Sequence, residues 1–474
     1  MKYKIITIII ICTLVIGCIS IESYYKKDIT TVYHQHLEDS SDESACAGIE
    51  NCSHLPIINV DTKSQTIPGL DGEKENYIIA EANIYDGGNS VTVLGENGNT
   101  ETIRLRYRGR SSLKFDKKGY LLKFVNDNDE KVNKSLLGMP EETDWIFHGP
   151  FIDKSLIRNY MWYNIAQEIM GQAPKTRFFE LYIDNNYQGL YVATEAVTQS
   201  EQSRVLMTKK DERSIATSYL LQLDSDAGNE TTALNSFSKY TYRLKKSDIS
   251  NENIIIKYPS EAELTEEVKE YISNDFAEFE KMLYSYDYKE YSKYIDVDSF
   301  VDYFIINEFT QNYDAGYLST YIYKDIAGKY KMYIWDFNSA SNNYQPDFLG
   351  DNQSFELDGI LWYEALLQDP EFVEAIIKRY EELRKTYLSY EYLENYIDET
   401  VSYLGPAIDR NFSVWGYTLN ENYGSFKTNY MPRSHNDAIN QLKSSIHERG
   451  KWMDRNIYIL RHYAHESKNK DVNK

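Results

Sequence analysis

The sequence has few of the residues from which metal centres and nucleophilic active sites are usually built. It contains 4 cysteines and 8 scattered histidines, and neither Cys46 nor Cys52 has a His or Cys partner at zinc spacing. There is no internal repeat, no phosphate-binding Walker loop and no Gly-x-Ser-x-Gly nucleophile turn. These absences argue against a histidine-rich metal site, a Walker-type nucleotide site and a hydrolase built on a nucleophile turn.

Positive charge is also scarce. The chain carries 51 Lys and Arg against 73 Asp and Glu, which gives a formal net charge of −22 at pH 7. A phosphate backbone would be repelled over most of such a surface, so a nucleic acid is not expected as a partner. The 43 tyrosines and 18 phenylalanines, in contrast, supply enough apolar area for a large two-lobed domain.

The N-terminal residues are typical of an exported protein. A basic head precedes an almost wholly apolar run from Ile5 to Ile21, which fits a secretory signal. Within it, Val15-Ile16-Gly17-Cys18 resembles a bacterial lipobox, so residues 1–18 are predicted to be a signal peptide whose removal leaves a lipidated Cys18. The alternative is an uncleaved membrane anchor, because the run is nearly long enough to span a bilayer. Both interpretations predict an extracytoplasmic, membrane-anchored protein at the cell surface.

The remaining chain divides by composition. Residues 19–54 show little periodicity and contain a polar run from Glu38 to Ser44, which cannot bury a core and predicts a flexible tether. The folded domain is predicted to span residues 55–465, and residues 466–474 form a polar tail.

Cysteine use is compatible with export. Once Cys12 and Cys18 are assigned to the signal, Cys46 and Cys52 are left. The five residues between them permit a small local disulfide loop in an oxidising compartment, although the sequence alone does not prove the bond.

A helix followed by a hairpin is the most informative part of the domain. Asp296 can cap the helix, and Ala315-Gly316 offers a turn after it. The apolar residues of the helix recur at the three-and-four spacing of a single face: Val297, Phe300, Val301, Phe304, Ile305 and Phe309. Residues 317–323 and 330–335 are rich in aromatic and branched side chains, and they predict two strands joined by a turn at residues 325–328.

Two aspartates flank this hairpin. Asp314 precedes it and Asp336 follows it, 22 positions later. Because a hairpin brings its two ends together, both carboxylates are predicted to face one cleft. One could accept the proton of an attacking hydroxyl while the other holds Mg²⁺ against a triphosphate. Taken singly, each aspartate is better explained as a turn residue, since Asp favours turns.

Two blocks of sequence resemble a known family. The block around the two aspartates comprises Ile306 to Asp314, Ser319-Thr320-Tyr321, Tyr323-Lys324-Asp325, Gly328-Lys329 and Trp335-Asp336-Phe337-Asn338. The earlier block comprises Arg108 to Ser112, Lys117 to Phe124, Leu136 to Pro140, Asp144-Trp145, Asp153 to Asn159, and Gly189-Leu190-Tyr191 with Glu195. In order and spacing both resemble the spore coat protein H (CotH) kinase family, over roughly residues 55 to 462.

The resemblance implies an α+β fold, a two-lobed atypical protein-kinase-like fold with a strand-rich N-terminal part and a helix-rich C-terminal part. Helices predicted from Pro370 onwards and through residues 439–460 would build the second part. The implied activity is that of a secreted or surface-tethered kinase that transfers the ATP γ-phosphate to the hydroxyls of a protein substrate with Mg²⁺ or Mn²⁺. Asp314 matches the family's catalytic-loop Asp, and Asp336 matches its metal-binding Asp.

The same resemblance implies a nucleotide pocket in the first half. Arg108 and Ser111 lie in a small-residue turn that could meet phosphates, although an ordinary hairpin turn has the same composition. Lys118 or Lys123 would pair with a phosphate. Lys118 matches the motif more closely, whereas strand alternation puts Lys123 on the face opposite its apolar neighbours. Both lysines could instead be solvated.

Two further residues are candidates for nucleotide contact. Arg158 lies near the margin of a helix that Asp153 can cap, where it could hold a nucleotide or pair with Asp153. Glu195 follows a strand pair at the position of the kinase hinge, or is an exposed strand-end residue. Asp224 and Asp226 follow another predicted strand and could assist a metal, although acidic turn residues are the favoured interpretation.

One departure from the family pattern bears on the function. The family usually reads Trp-Asp-x-Asp and then Gly-Asn, whereas this chain has Asn338 in place of the second Asp and Asn342-Asn343 in place of Gly-Asn. An Asn338 oxygen can still ligate a hard cation, but one negative charge is lost. The alternative prediction is therefore a catalytically impaired surface binding protein or adhesin.

Overall fold

The computed structural model describes residues 43–69, 76–88, 90–109, 111–224, 253–285, 288–343, 353–421 and 431–464, together with Val32, His34 and Leu234. The predicted signal peptide, its lipobox, Asp226 and the polar tail lie outside these residues. Among the residues described, no helix is both long enough and apolar enough to cross a bilayer.

Of the seventeen strands in the described chain, fifteen lie before residue 260 and two lie after it. They are β1 Cys52–Ser53, β2 Ile57–Asp61, β3 Ile78–Tyr85, β4 Thr92–Val93, β5 Asn99–Arg108, β6 Gly119–Phe124, β7 Lys134–Leu136, β8 Met139–Glu142, β9 Asp144–His148, β10 Thr176–Ile183, β11 Asn186–Glu195, β12 Gln199–Ser200, β13 Val205–Leu206, β14 Tyr219–Asp224, β15 Asn253–Tyr258, β16 Thr320–Lys324 and β17 Tyr330–Tyr333.

Seven of these strands close into a barrel in the order β10-β11-β9-β6-β5-β3-β2. Neighbouring strands are antiparallel, except that β2 and β10 pair in parallel and complete the ring. Alternate side chains such as Leu105, Leu122 and Phe147 fill the barrel. The mixed α and β content, with a strand-rich first part and a helical second part, is as predicted, while the two-lobed, kinase-like arrangement stays a prediction. The closed barrel is a feature that the sequence did not predict.

The outward-facing residues of β5, β6 and β9 form what we call the outer wall of the barrel. Register places Arg106 and Arg108 of β5, Lys123 of β6, and Asp144 and His148 of β9 on this wall. The predicted orientation of Lys123 away from its apolar strand neighbours is therefore confirmed. Apolar residues between these polar ones belong to the same core cluster as the first long helix, so the wall packs against the remainder of the chain.

Helices dominate the described chain after residue 260. The α-helices are α1 Arg158–Met170, α2 Glu266–Leu283, α3 Tyr288–Tyr291, α4 Val297–Thr310, α5 Leu361–Leu366, α6 Pro370–Leu383, α7 Tyr390–Leu404, α8 Pro406–Trp415 and α9 His435–Asn456. Short 3-10 helices are formed by Glu43–Cys46, Ser111–Lys114, Glu261–Glu263, Gly416–Thr418 and Ile457–His462.

The helices nearest the site are α1 and α4, and their predicted ends are found except at the start of α1. Helix α1 begins at Arg158, and its N-cap is Ile157, which makes no side-chain cap, so the prediction that Asp153 caps this helix was wrong. The Asp153 carboxylate nevertheless accepts the N–H of Arg158 at 2.9 Å, which satisfies a donor in the first turn. Gly171 ends α1 with φ 73°, a left-handed conformation that glycine adopts without strain. In α4, the predicted cap is formed, because the carboxylate of Asp296 accepts the N–H of Ser299 at 3.1 Å.

The predicted hairpin is formed by β16 and β17 and lies in a second sheet, ordered β15-β14-β16-β17. Its strands are shorter than predicted, because residues 317–319 form a turn and the return strand ends at Tyr333. The predicted strand Tyr219–Asp224 is confirmed as β14 and pairs with β16. The end of β14 therefore joins the two ends of the hairpin at one edge of this sheet.

Residues 43–54, which the sequence assigns to the flexible tether, are part of the folded structure. Cys46 and Cys52 form the predicted disulfide. The carboxylate of Glu43 accepts hydrogen bonds from His54 and from Arg410 of α8, and Arg410 also donates to Glu180 of β10 at 2.8 Å. The sequence prediction was wrong for this segment, because its order comes from partners more than 100 positions away. A cavity of about 560 Å³ lies beside this loop.

Candidate active site

Asp314 lies in the loop that follows α4, and asparagine side chains hold that loop. Asn312 donates from its backbone N–H to the Asn307 carbonyl at 3.0 Å and from its side-chain amide to Asn307 Oδ1 at 3.1 Å. On the other side, the N–H groups of Tyr317 and Leu318 donate to the Asp314 carbonyl at 3.1 and 2.7 Å. The backbone of Asp314 is therefore fixed from both directions.

Asp336 lies just beyond β17, in a left-handed conformation with φ 54°. Helix α1 holds this segment. The Asp336 N–H donates to the Tyr163 hydroxyl at 3.1 Å, and the Phe337 N–H donates to Asn159 Oδ1 at 2.7 Å. A non-glycine residue with positive φ costs conformational energy and persists where its surroundings fix it, which is common at functional sites.

The environments of the two carboxyl groups are electrostatically linked. Burial, together with the charges of Asp336 and Asp224, raises the pKa of Asp314 to about 7. No residue in the described chain donates a hydrogen bond to the Asp314 carboxylate. Burial also raises the pKa of Asp336, while the Asn338 N–H and Arg108 oppose that rise. The hairpin thus brings the two aspartates together, as predicted.

Asp224, at the end of β14, is a third carboxylate of this site. It raises the pKa of both Asp314 and Asp336, so it lies close enough to interact with each. Its Oδ2 accepts a hydrogen bond from Gln222 Nε2 at 2.7 Å. The favoured sequence interpretation, an acidic turn residue, missed this placement because it depends on the pairing of β14 with β16.

The site suits a hard cation that takes most of its ligands from elsewhere. Within the described ranges, no group of three or more His, Cys, Asp or Glu residues is arranged to hold a metal ion. Asp314 and Asp336 are nevertheless half-buried carboxylates of like charge, and a cation would relieve their repulsion. Mg²⁺ often takes only one or two protein carboxylates and completes its shell with water and substrate phosphates. The residues present fit that mode of binding.

The side chain and the backbone N–H of Asn338 both contact the Asp336 carboxylate. Its Nδ2 donates to Asp336 Oδ1 at 2.7 Å, and its backbone N–H donates to the same oxygen at 3.3 Å. His148 of the outer wall lies near this side chain, and burial lowers the pKa of His148 to about 4, so its imidazole is neutral at physiological pH. The amide of Asn338 is thus fixed on one oxygen of the Asp336 carboxylate.

Arg108 is a cation close enough to the Asp336 carboxylate to interact with it. Its guanidinium lies over the Trp335 ring, 5.3 Å from the centroid, and it lowers the pKa of Asp336. It forms no ion pair with another described residue. Gly109 follows with φ 112°, a conformation that a residue with a Cβ would adopt only with strain. The side chain of Ser111 lies outside the described part of the chain.

The other residues predicted to contact the nucleotide in this region, Lys118, Lys123 and Glu195, lie in different parts of the structure. Lys118 Nζ donates to the Leu113 carbonyl at 2.7 Å and closes its own loop. Lys123 Nζ lies 3.5 Å from Asp144 Oδ2 on the outer wall. Glu195 is 1% exposed, so the interpretation as an exposed strand end is wrong; its Oε2 accepts the Lys175 N–H at 2.9 Å.

Arg158 does not contact the carboxylate site with its guanidinium. A guanidinium has five N–H donors, and each has an acceptor within the chain. The acceptors are Asp153 Oδ1, Ser155 Oγ, the carbonyls of Ala340 and Ser341, and Gln441 Oε1. The prediction of nucleotide contact by Arg158 was therefore wrong, and the alternative, an ion pair with Asp153, is the one formed. Arg158 instead ties α1 to the segment that follows Asp336.

Sequence reasoning also missed His148, Arg106 and Tyr163. All three face the second part of the chain only because of strand register or helix packing. The alternation of residues along β5 and β9 was a signal for Arg106 and His148, but it could be used only if both segments were known to line one wall. Tyr163 lies among the buried aromatic residues of α1 and carries no distinguishing sequence signal.

Comparison with known proteins agrees with this geometry. A search of curated proteins found no match. The family model described as CotH kinase protein matches residues 105–453, a span that includes the outer wall, both aspartates and most of the helical part. The chain therefore belongs to the CotH kinase family.

Proposed function

We propose that this protein is an atypical protein kinase that transfers the γ-phosphate of ATP to hydroxyl groups of a protein substrate. The observation that carries the proposal is the pairing of Asp314 and Asp336 at the two ends of one hairpin. In protein kinases a catalytic-loop Asp accepts the substrate hydroxyl proton, and a second Asp holds the metal. Family membership supports the same activity.

Asp314 is suited to the role of general base. Its pKa of about 7 lies near physiological pH, where a base is present in its ionised form and still binds a proton effectively. The absence of a hydrogen-bond donor to its carboxylate within the described chain leaves both oxygens for a substrate hydroxyl. The fixed backbone on either side of Asp314 would hold these oxygens in place.

Asp336 would hold the divalent cation, with Asp224 close enough to contribute. Bound with the nucleotide, Mg²⁺ or Mn²⁺ would supply charge neutralisation for the phosphoryl oxygens. Arg108 faces the same site without an ion-pair partner among the described residues, so it would attract and orient a phosphate. The protein's own residues would therefore bind the cation, orient the phosphate and accept the proton.

The nucleotide is proposed to bind at the outer wall. The barrel and the helical part would then act as two lobes, with the nucleotide between them. Two buried polar atoms of this wall have no hydrogen-bond partner: Arg106 Nε and Asp144 Oδ1. Unsatisfied buried donors and acceptors are costly, and a ligand with both kinds of group, such as a nucleotide, would satisfy them. Lys123 lies on the same wall beside Asp144.

Export to the cell surface, with a lipid anchor at Cys18, remains part of the proposal. It is supported by the basic and apolar N-terminal segment, the lipobox pattern and the disulfide Cys46–Cys52. Disulfides persist in oxidising compartments and are rare in the cytosol of most organisms.

The test is phosphate transfer by the chain prepared without residues 1–18. We expect wild-type protein to transfer labelled phosphate from ATP and Mg²⁺ to itself or to a generic protein. Asp314→Asn removes the base with little change of shape, and loss of general-base catalysis typically lowers the rate about 10²–10⁴-fold. Asp298→Asn, an exposed change in the first turn of α4, is the matched control and should retain activity. Equal labelling by wild type and Asp314→Asn would refute the role of Asp314.

Asn338 favours a second candidate, a catalytically impaired surface binding protein or adhesin. The chain carries an amide where the family pattern has a carboxylate, which reduces the negative charge available to a cation. Stabilisation by ATP and Mg²⁺ in a thermal melt without any phosphate transfer would support an impaired kinase. Neither stabilisation nor transfer would point to adhesion.

A further inference from the structure

Two groups of opposite charge, Arg108 and Asp336, face the candidate site without pairing with each other. The Arg108 guanidinium is close enough to the Asp336 carboxylate to lower its pKa. Within the described chain, however, neither group belongs to an ion pair. An arginine and an aspartate at close range attract each other strongly when they are shielded from bulk water. Their separation therefore needs a structural explanation.

Neutral groups hold Asp336. The side-chain amide of Asn338 donates to Asp336 Oδ1 at 2.7 Å, and the Asn338 N–H donates to the same oxygen at 3.3 Å. The backbone of Asp336 is held by Tyr163, whose hydroxyl accepts the Asp336 N–H at 3.1 Å. An amide and a hydroxyl orient the residue without cancelling its charge, so the carboxylate stays available to a cation.

An aromatic ring holds the Arg108 guanidinium. The guanidinium lies over Trp335, 5.3 Å from the ring centroid, and no described residue accepts a hydrogen bond from it. Attraction to a ring face uses the charge of a guanidinium but leaves its N–H donors available to a phosphate. A bidentate ion pair with Asp336 would instead occupy two of these donors and the carboxylate at once.

The Trp335 ring is itself firmly placed. It is 8% exposed and stacks on Tyr163, with ring centroids 5.6 Å apart and an angle of 20° between the planes. Tyr321 of β16 packs edge-on against it, with centroids 6.4 Å apart. Tyr163 therefore supports Trp335 with its ring and Asp336 with its hydroxyl, so one aromatic cluster holds both charged groups.

We propose that Trp335 is a positioning residue that keeps Arg108 apart from Asp336, so that both charges remain available until ATP and its divalent cation bind. Arg108 would then donate to phosphate oxygens, while Asp336 ligates the cation bound to the same phosphates. The inference rests on the proposed function, since it gives the two groups a shared ligand.

Binding of Mn²⁺ alone tests this role, because Mn²⁺ and Arg108 would compete for one carboxylate. The dissociation constant is measured without nucleotide by electron paramagnetic resonance. We expect Trp335→Leu to bind Mn²⁺ about tenfold more weakly, since Arg108 then donates charged hydrogen bonds to Asp336. Adding Arg108→Met to that variant should restore binding to the wild-type value. Trp335→Phe retains a ring face and should behave as wild type does.

Restoration by the second substitution separates this role from loss of packing. A site damaged by Trp335→Leu would bind Mn²⁺ poorly with or without Arg108, so failure of Arg108→Met to restore binding would overturn the proposal. Trp452→Leu in α9 is the matched control, because the Arg449 guanidinium lies 4.4 Å from the centroid of the Trp452 ring. It should leave Mn²⁺ binding unchanged, and a loss equal to that of Trp335→Leu would also overturn the proposal.

Arg108→Met by itself decides the question even if the Trp335 variants do not fold. With Trp335 in place, Arg108 is not bound to Asp336, so we expect the affinity for Mn²⁺ to change less than about threefold, as for charges that interact through solvent. A gain of tenfold or more would show that Arg108 already neutralises Asp336, contrary to the proposal.

A double-mutant cycle on melting without any ligand keeps the inference separate from the proposed function. Arg108→Met and Asp336→Asn should be nearly additive in the wild-type background and non-additive in the Trp335→Leu background, where the two groups pair. Strong coupling with Trp335 present, or additivity in both backgrounds, would overturn the inference. If the wild-type protein binds neither Mn²⁺ nor ATP, the proposed kinase function fails, and this cycle still decides whether Trp335 separates the two charges.

Discussion

Glu308 and Asp314 lie six positions apart and are both removed from bulk water, yet their surroundings are opposite. The Glu308 carboxylate is fully buried and accepts the N–H groups of Glu356 and Leu357 and a guanidinium N–H of Arg449. Asp314 accepts no hydrogen bond to its carboxylate within the described chain and faces Asp336 and Asp224. Burial raises the pKa of both carboxyl groups, that of Glu308 to about 8 and that of Asp314 to about 7, but only at Glu308 do a guanidinium and backbone N–H groups oppose the rise. A carboxylate compensated by such donors holds elements of the fold together, whereas one left uncompensated keeps free energy available for a ligand or a proton.

The largest loss of stability is expected when the buried ion pair of Glu308 and Arg449, the compensated side of this comparison, is broken. Glu308→Ala leaves the Arg449 guanidinium buried without its carboxylate, and breaking a buried pair in this way costs about 3–5 kcal/mol of the free energy of unfolding. Urea denaturation of the purified protein measures it. The exposed ion pair of Glu374 and Arg461 supplies the control, since Glu374→Ala should change stability far less. Equal losses in the two variants would show that Glu308 is not compensated as described.

The Arg158 guanidinium is a second buried charged group whose hydrogen bonds are all made. Changing it should lower the free energy of unfolding by a smaller amount. Arg158→Lys keeps the charge but has three donors in place of five, so at least two hydrogen bonds are lost. Loss of hydrogen bonds to a charged group costs roughly 1–3 kcal/mol. Because Arg158 holds the segment after Asp336, the variant should also weaken the ATP-induced melting shift. An unchanged shift, alongside lower stability, would show that this tie does not reach Asp336.

The uncompensated side of the comparison, Asp314, is tested by the pH dependence of the free energy of unfolding. Unfolded, the Asp314 carboxyl has its ordinary pKa of 3.8, whereas in the folded protein it keeps its proton up to a pKa of about 7. The folded state therefore binds more protons between these values, so the free energy of unfolding falls as pH rises from about 4 to about 7.

Comparison of wild type with Asp314→Asn isolates this contribution, since an amide does not titrate. Wild type should lose stability relative to the variant as pH rises across that window, measured by urea denaturation at several pH values. The rate of phosphate transfer by wild type should rise with pH through about 7, as the base loses its proton. Parallel stability curves for the two proteins would show that Asp314 titrates normally.

Local pattern was sufficient to predict the elements that hold the two aspartates. The apolar stripe after Asp296, the turn at Asp325 and the strand Tyr219–Asp224 depend on neighbours in sequence, and each is found where it was predicted. Their meeting at one site followed from the hairpin alone. The same holds for the end of α1 at Gly171, whereas its start at Arg158 lies later than the predicted cap at Asp153.

Long-range pairing decided the features that were missed. Closure of the barrel depends on β2 pairing with β10, and no local pattern contains that contact. The partners of Arg158 at Ser341 and Gln441 come from elements far away in sequence. For the same reason the folding of residues 43–54, held by Arg410, could not be predicted from a polar and irregular stretch.

The link from Glu43 through Arg410 to Glu180 also has a mechanical consequence. It joins the disulfide loop, helix α8 and a barrel strand at the point where the described domain begins. Tension applied from the N-terminal side would meet a covalently closed loop before it reached β2, and the load would divide between the helix and the barrel. Strand β2 closes the barrel by pairing with β10. If the protein were pulled at its N-terminal end, protecting β2 from the force would preserve the arrangement of the outer wall.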